Sequence, residues 1–218
     1  MALAGLIGKI RNQCSGLLII IKRQYALLNI LYGISNLMVL IRKSHEADSV
    51  AMLAIVNAAA QAYRGAIPLD RWREPYMTAD ELDKEISDGV IFWVAEDHGR
   101  PIGMMGIQDK EDVALMRHAY VEPTAQRRGV GTRLLRHVQR LAGKPVLIGT
   151  WSDASWAIEF YRRNGFTVVS NGLKDQLLRQ YWSIPERQVE TSVVLADARW
   201  MNTQQYGLFI RTDSHRSI

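Results

Sequence analysis

Near residue 121 an apolar strand gives out at a proline. Gln126-Arg-Arg-Gly-Val-Gly131 then opens a helix in which Val130, Leu134, Leu135, Val138 and Leu141 recur at helical spacing. No other stretch constrains the architecture as much. The apolar segment Pro145–Thr150 follows closely, so strand, helix and strand form a crossover of the kind that joins parallel neighbours in one sheet. Gly129 and Gly131 lack a Cβ where the backbone must curl, which bares successive N–H groups at the positive end of the helix dipole. Such an end takes phosphate. Two other phosphate loops fail on residues. A Walker A loop needs Gly-Lys-Ser/Thr, but Gly131 is followed by Thr132 and Arg133, and a dinucleotide fingerprint needs a third glycine where Leu134 stands. A glycine-softened helix start with no ligand is the competing reading of the same residues.

The remaining elements fall on both sides of this junction. Met38–Lys43 reads as a short strand, Asp48–Ala62 as a helix, and Tyr63–Met77 as a loop punctuated by Gly65, Pro68 and Pro75. Thr78 and Glu81 form a capping box with Met77 stapling to Leu82, and Gly89 stops that helix. Val90–Ala95 and Ile102–Ile107 flank a turn and make a hairpin, with Val113–Val121 as third strand of the meander. After the crossover come a helix over Trp156–Asn164 closed by Gly165, a strand at Phe166–Val169 and a helix over Lys174–Tyr181. Val189–Leu195 alternates like a closing strand. The expected class is α/β (α+β), a mixed central sheet of six to seven strands flanked by about four helices.

The 218 residues are 48% apolar, enough for one core without metal or disulfide staples. Cys14 is the single cysteine, which excludes an internal disulfide and points to a reducing, cytoplasmic setting. His45, His98, His118, His137 and His215 are scattered with no HExxH pair, so no metal is expected. Four of the five excess positive charges, Lys9, Arg11, Lys22 and Arg23, stand before Met38, where there is no acid at all. The body is near neutral, and nucleic acid is not an expected partner. Residues 1–37 form a hydrophobic, basic extension with no clean membrane span. Three readings apply: an amphipathic anchor on anionic lipid, an extra packed helix, or an over-extended reading frame whose natural start is Met38. The expected division is therefore 1–37, a domain over 38–198, and a patternless tail over 199–218.

Two blocks carry a resemblance. Gln126-Arg-Arg-Gly-Val-Gly131 fits a Gln/Arg-x-x-Gly-x-Gly/Ala signature, with Val-x-Pro before it and Arg-Leu-Leu after it. Ala157-Ile-Glu-Phe-Tyr161-Arg-Arg-Asn-Gly165-Phe166 fits an Ala-x-x-Phe-Tyr-x-x-x-Gly-Phe helix downstream. In that order and spacing the chain resembles the GNAT superfamily of acyl-CoA N-acyltransferases, over Met38–Val169 and on to Leu195. The resemblance implies transfer of acetyl from acetyl-CoA to a primary amine, on a small molecule or a peptide, by direct attack in a ternary complex. It also implies a splay between the strands Val113–Val121 and Pro145–Thr150 that admits pantetheine. By the same likeness, Gln126 and the N–H groups of Arg127, Arg128, Gly129, Val130, Gly131 and Thr132 hold the pyrophosphate. The strand around Ala119, Tyr120 and Val121 bonds the pantetheine amides and polarises the acyl carbonyl. Ala157 and Phe160 belong to the same cofactor side, although helical spacing turns Phe160 towards the core.

Tyr161 shares a helical face with Ala157 and Asn164 and can point into that slot. The resemblance gives its phenol the protonation of the departing thiolate; a core tyrosine is the alternative. For the base, His118 has the right chemistry, but strand alternation sets it with Tyr120 opposite Arg117, Ala119 and Val121 unless a bulge re-aims it. Leu115 stands where some relatives carry a glutamate base. Asp109, Asp112 and Glu159 read as solvated charges, and proton loss through ordered water needs no base. Ala154 stands where many relatives carry asparagine, and Asp153 or Ser152 is expected to N-cap the helix. Arg64, Arg71, Trp72 and Tyr76 form an acceptor grip for an acid-bearing or planar amine, or else a packed lid. A non-catalytic acyl-CoA sensor, a longer acyl donor, membrane attachment through 1–37 and homodimerisation stay open.

Overall fold

A computed structural model describes residues 39–203 and, before them, Gln24 alone. Close packing divides the chain into Met1–Val39 and Leu40–Ile218, and the fold belongs to the second unit. Apart from Gln24, the expectations for residues 1–37 lie outside the described residues, as does the tail beyond residue 203.

The elements run β1 (Leu40–Lys43), α1 (Ser49–Ala60), α2 (Ala79–Ser87), β2 (Val90–Asp97), β3 (Arg100–Asp109) and β4 (Ala114–Val121). Then come α3 (Val130–Leu141), β5 (Val146–Trp151), α4 (Ser155–Arg163), β6 (Thr167–Val168), α5 (Asn171–Tyr181), α6 (Glu186–Glu190) and β7 (Ser192–Ala196). One seven-stranded sheet has the order β1-β2-β3-β4-β5-β7-β6. Its neighbours are antiparallel except β4 and β5, the pair joined by the α3 crossover. The sheet is mixed, as the sequence implies.

Local chemistry explains the elements. At α2, Thr78 accepts from the Glu81 amide at 3.3 Å while the Glu81 carboxylate accepts from the Thr78 amide at 2.9 Å, and Met77 and Leu82 share a core cluster. His98 and Gly99 both sit at positive φ, so two residues close the β2–β3 hairpin and the strands run further into the turn than apolar pattern alone suggests. Asn57 clasps Met77 through both its amide atoms, at 2.9 Å each, and so fixes the end of the loop that carries Tyr76.

Helices cover both faces. One face packs α1 and α2 on Phe92, Val94 and Met104, and α5 on Leu115, Leu147 and Val194. The other receives Leu134, Leu135 and Val138 of α3, all fully buried. Each such side chain contributes about 1.5–3 kcal/mol of transfer free energy. The closing strand differs from its expected span. Pro185 starts the helical turn α6, which buries Val189, and Lys174 Nζ takes the Val189 carbonyl at 2.6 Å, so β7 begins only at Ser192. Residues 198–203 are helical.

Candidate active site

β4 and β5 pair in parallel only over Ala114–Met116 and Val146–Ile148. β4 then runs on to Val121 and β5 to Trp151, and the strands part. The cause lies in β4. Met104 of β3 faces Tyr120 and Gly106 faces Arg117, so β4 carries an extra residue between them, and His118 takes φ +50 there. Residues opposite each other in a ladder share a face, so the bulge brings Arg117 to the face of Tyr120. His118 also turns to that face, with its ring 5.9 Å from Phe92. Strict alternation, which set Arg117 against His118 and Tyr120, is therefore corrected.

The splay opens a slot of about 490 Å³ lined by Ala119, Tyr120 and Val121 on one side and Ala157, Phe160 and Tyr161 on the other. Its far end is the curl after Pro123. Arg127 and Gly129 are left-handed at φ +59 and +77, and the first amide to enter the helix ladder is Arg133, donating to the Gly129 carbonyl at 3.0 Å. The amides of Val130, Gly131 and Thr132 thus have no carbonyl one turn back and open the helix towards the slot. Gln126 steadies the curl by donating its side-chain amide to Val121 O at 3.2 Å. At Gly131 a Cβ would lie 3.4 Å from Phe160 Cζ, an ordinary contact. Phe160 is half-buried and lines the slot rather than the core, which corrects its expected orientation.

Tyr161 stands where this slot meets a smaller cavity of about 140 Å³. It is 7% exposed, and burial, reinforced by nearby Tyr63, pushes its phenol far above the usual tyrosine range. At neutral pH it holds its proton. Tyr63, Tyr120 and Ala119 line both spaces as well. Burial carries Tyr63 up to about 12, Tyr76 adding to the rise and a hydrogen bond with Thr150 opposing it. Burial likewise lifts Tyr120 well above its ordinary value, with Tyr76 and Tyr63 adding to the rise. Tyr76 and Tyr120 meet edge to face at 6.2 Å.

The small cavity is walled by Tyr76, Arg117 and His118 on one side and by Leu178 of α5, Trp182 just after it and Gln188 of α6 on the other. Beneath it lies a charge network. Arg117 reaches Glu85 Oε1 of α2 at 2.8 Å and Gln108 Oε1 at 3.0 Å, and His118 Nε2 stands 3.1 Å from Glu85 Oε2. Burial alone would raise the Glu85 carboxyl, but His118 and Arg117 outweigh it and hold the group below its usual range.

Several expected residues lie elsewhere. Of the acceptor grip, Tyr76 alone lines the cavity; Arg64 pairs with Glu74 and stacks 5.6 Å over Trp72 at a separate surface, and Arg71 is exposed. The Arg128 side chain leaves the slot to pair with Asp97 at 3.0 Å. Ala154 itself is the N-cap of α4 and neither Ser152 nor Asp153 caps it with a side chain, because the Ala154 amide closes a turn onto Trp151 O. Asp109, Asp112 and Glu159 engage Lys144, Tyr181 and Arg163. Sequence reasoning missed Glu85, Tyr63 and Trp182. Only Glu85 left a trace, a carboxylate three residues after buried Leu82 on the inward face of α2. Among the described residues no cluster of metal-ligating side chains occurs, and no helix is long and apolar enough to cross a membrane.

The family model described as acetyltransferase (GNAT) domain matches residues 88–168, which contain the splay, the curl and α4. Peptidyl-lysine N-acetyltransferase YiaC of Escherichia coli strain K12 is 29% identical over 99 residues, spanning 45% of this chain and 65% of that relative's length. Among solved structures, the PaiA N-acetyltransferase of Thermoplasma acidophilum, in complex with coenzyme A, superposes with a TM-score of 0.57 at 18% identity. That alignment covers 73% of this chain and 98% of the other. The ribosomal-protein-S18-alanine N-acetyltransferase of Escherichia coli gives 0.53 at 17% identity, over 73% and 93%. At these identities the structures speak for the fold. Fold, matched domain and the two sequence blocks agree in their likeness to GNAT acetyltransferases, the family-model match lying over residues 88–168.

Proposed function

We propose that this chain is an N-acetyltransferase that moves the acetyl group of acetyl-CoA to a primary amine by direct attack in a ternary complex. One observation carries the reading: a single slot runs from the unpaired amides of the α3 end, along the unpaired edge of β4, to a buried, protonated phenol. The residues fit acetyl-CoA. The curl offers N–H donors and a helix dipole to the diphosphate, and the free edge at Ala119–Val121 offers backbone partners to the pantetheine amides. A β4 amide polarises the acyl carbonyl, and Tyr161 gives its proton to the departing thiolate sulfur. The acceptor amine enters from the small cavity behind Tyr161. The wall from α5 and its following segment narrows that cavity, which favours an amine at the end of a slender arm, such as a lysine side chain, a peptide N-terminus or a small alkylamine. The setting is cytoplasmic, which fits a chain with one cysteine.

The test offers acetyl-CoA and longer acyl-CoAs with a panel of amines: a lysine peptide, a peptide with a free N-terminal alanine, and small primary amines. Thiol release is read together with calorimetric CoA uptake. Amine-dependent thiol release is the expected result. Uptake without release would make the protein a CoA sensor, and folded protein without uptake would remove the reading.

A further inference from the structure

The charge network beneath the cavity does more than fill space. His118 takes a left-handed backbone conformation that a histidine adopts at a cost of about 1–2 kcal/mol. That backbone turn re-aims its ring to α2, where Nε2 and Glu85 Oε2, both buried and neither with another hydrogen-bond partner, stand 3.1 Å apart. His118 also lines the small cavity, and Nδ1 is the ring nitrogen that does not face Glu85. Glu85 is itself braced, since Arg117 holds its other oxygen at 2.8 Å and Gln108 holds Arg117 at 3.0 Å while donating to Asp88 O at 2.8 Å.

We propose that Glu85 fixes His118 as the Nε2–H tautomer, leaving Nδ1 as the base that takes a proton from the acceptor amine in the cavity; Glu85 is a positioning residue. This deepens the acetyltransferase reading and rests on it. The protons balance. Nδ1 takes one from the acceptor ammonium. The amine then attacks the thioester carbon, the N–C bond forms and the C–S bond breaks, and the thiolate takes the Tyr161 proton. A second proton from the nitrogen returns the phenolate to phenol through water. The third stays on the amide, and the charge left on His118 faces the Glu85 carboxylate. The groups around the imidazole are Glu85, then Arg117 and Asp88 behind it, with the phenols of Tyr63, Tyr76, Tyr120 and Tyr161 across the cavity.

Nitrogen NMR on the wild-type protein reads the tautomer directly, with His118→Gln supplying the assignment. The expected result for the neutral ring is protonated Nε2 and bare Nδ1, and the opposite tautomer overturns the proposal. Glu85→Gln should leave His118 a mixture of both neutral tautomers in the same spectra and cut kcat about tenfold with the acceptor KM kept. His118→Gln should cut kcat about 10²-fold or more, and the double variant should lose no more than that. An unchanged His118 tautomer in Glu85→Gln, with normal wild-type turnover, overturns the pair alone. A wild type that takes up CoA but acetylates no amine overturns the acetyltransferase reading, and the base with it.

Discussion

Gly129 and Gly131 stand two residues apart in the same curl, yet substitution by alanine should move stability in opposite directions. Gly129 is left-handed at φ +77, and a Cβ there would meet nothing within 4 Å. Its cost is therefore conformational, about 1–2 kcal/mol for an L-residue in that region. Gly131 is helical, and its Cβ would touch Phe160 Cζ at 3.4 Å and Val121 Cγ2 at 3.6 Å, ordinary contact distances. Alanine gains about 0.5–1 kcal/mol over glycine in a helix, at the lower end in a first turn. With roughly 2–4 °C per kcal/mol for a chain of this size, Gly129→Ala should melt about 2–8 °C lower and Gly131→Ala about 1–4 °C higher. Coenzyme A separates the two further. Gly131→Ala should keep the wild-type thermal shift on CoA addition, because alanine satisfies the signature at that place. Gly129→Ala tilts the amides that follow it, and a tenfold loss of affinity would remove about 1.4 kcal/mol of ligand stabilisation. Differential scanning fluorimetry with and without CoA measures all four quantities. If both variants shift the melting point the same way, or Gly129→Ala melts like the wild type, the left-handed cap does not shape this site.

Tyr161→Phe should slow thiol release about 10²-fold while calorimetry finds CoA binding unchanged; a loss below about threefold would take the acid role from it. Asp48 is buried, and its two hydrogen bonds with Arg42 at 2.7 and 2.9 Å hold its carboxyl below the usual range against the opposing effect of burial. Its stabilisation is present above the unfolded value near 4 and is lost as pH falls through the lower folded value. Asp48→Asn should accordingly cost about 1.5–3 kcal/mol in urea unfolding at pH 7, a gap that narrows at pH 3; an equal gap at both would refute the assignment. Gly106 lies opposite the β4 bulge, and a Cβ there would come within 2.6 Å of Val90 Cγ1 and 3.2 Å of Arg117 O. Gly106→Ala should cost about 1–3 kcal/mol by overpacking and lower kcat more than CoA affinity, and an unchanged melting point would show that the strand yields freely.

What the sequence reveals here depends on whether the information is local. The capping box at Thr78, the positive-φ glycines at residues 129 and 165 and the amphipathic stripe of α3 are each written in a few adjacent residues, and the structure holds them. The arginines of the loop before α2 mislead for the same reason. Their composition suits an acceptor grip, but the neutralising partner Glu74 is in the same loop and keeps Arg64 at the surface.

The bulge is the counter-example, because its cause is spread over two strands. Nothing in Met116-Arg-His-Ala-Tyr120 announces an inserted residue, and a histidine is a poor marker for φ +50. The readable sign sits across the ladder, where Gly106 leaves room in β3 for the β4 backbone to close in. That one insertion sets Arg117 on the face of Tyr120, turns His118 to Glu85, and ends the pairing of β4 with β5 one residue before it. The slot and the charge network thus share a single origin. A change that erased the bulge would have to close the splay and scatter the network together, so loss of acceptor turnover without loss of CoA uptake would argue that the two arise separately.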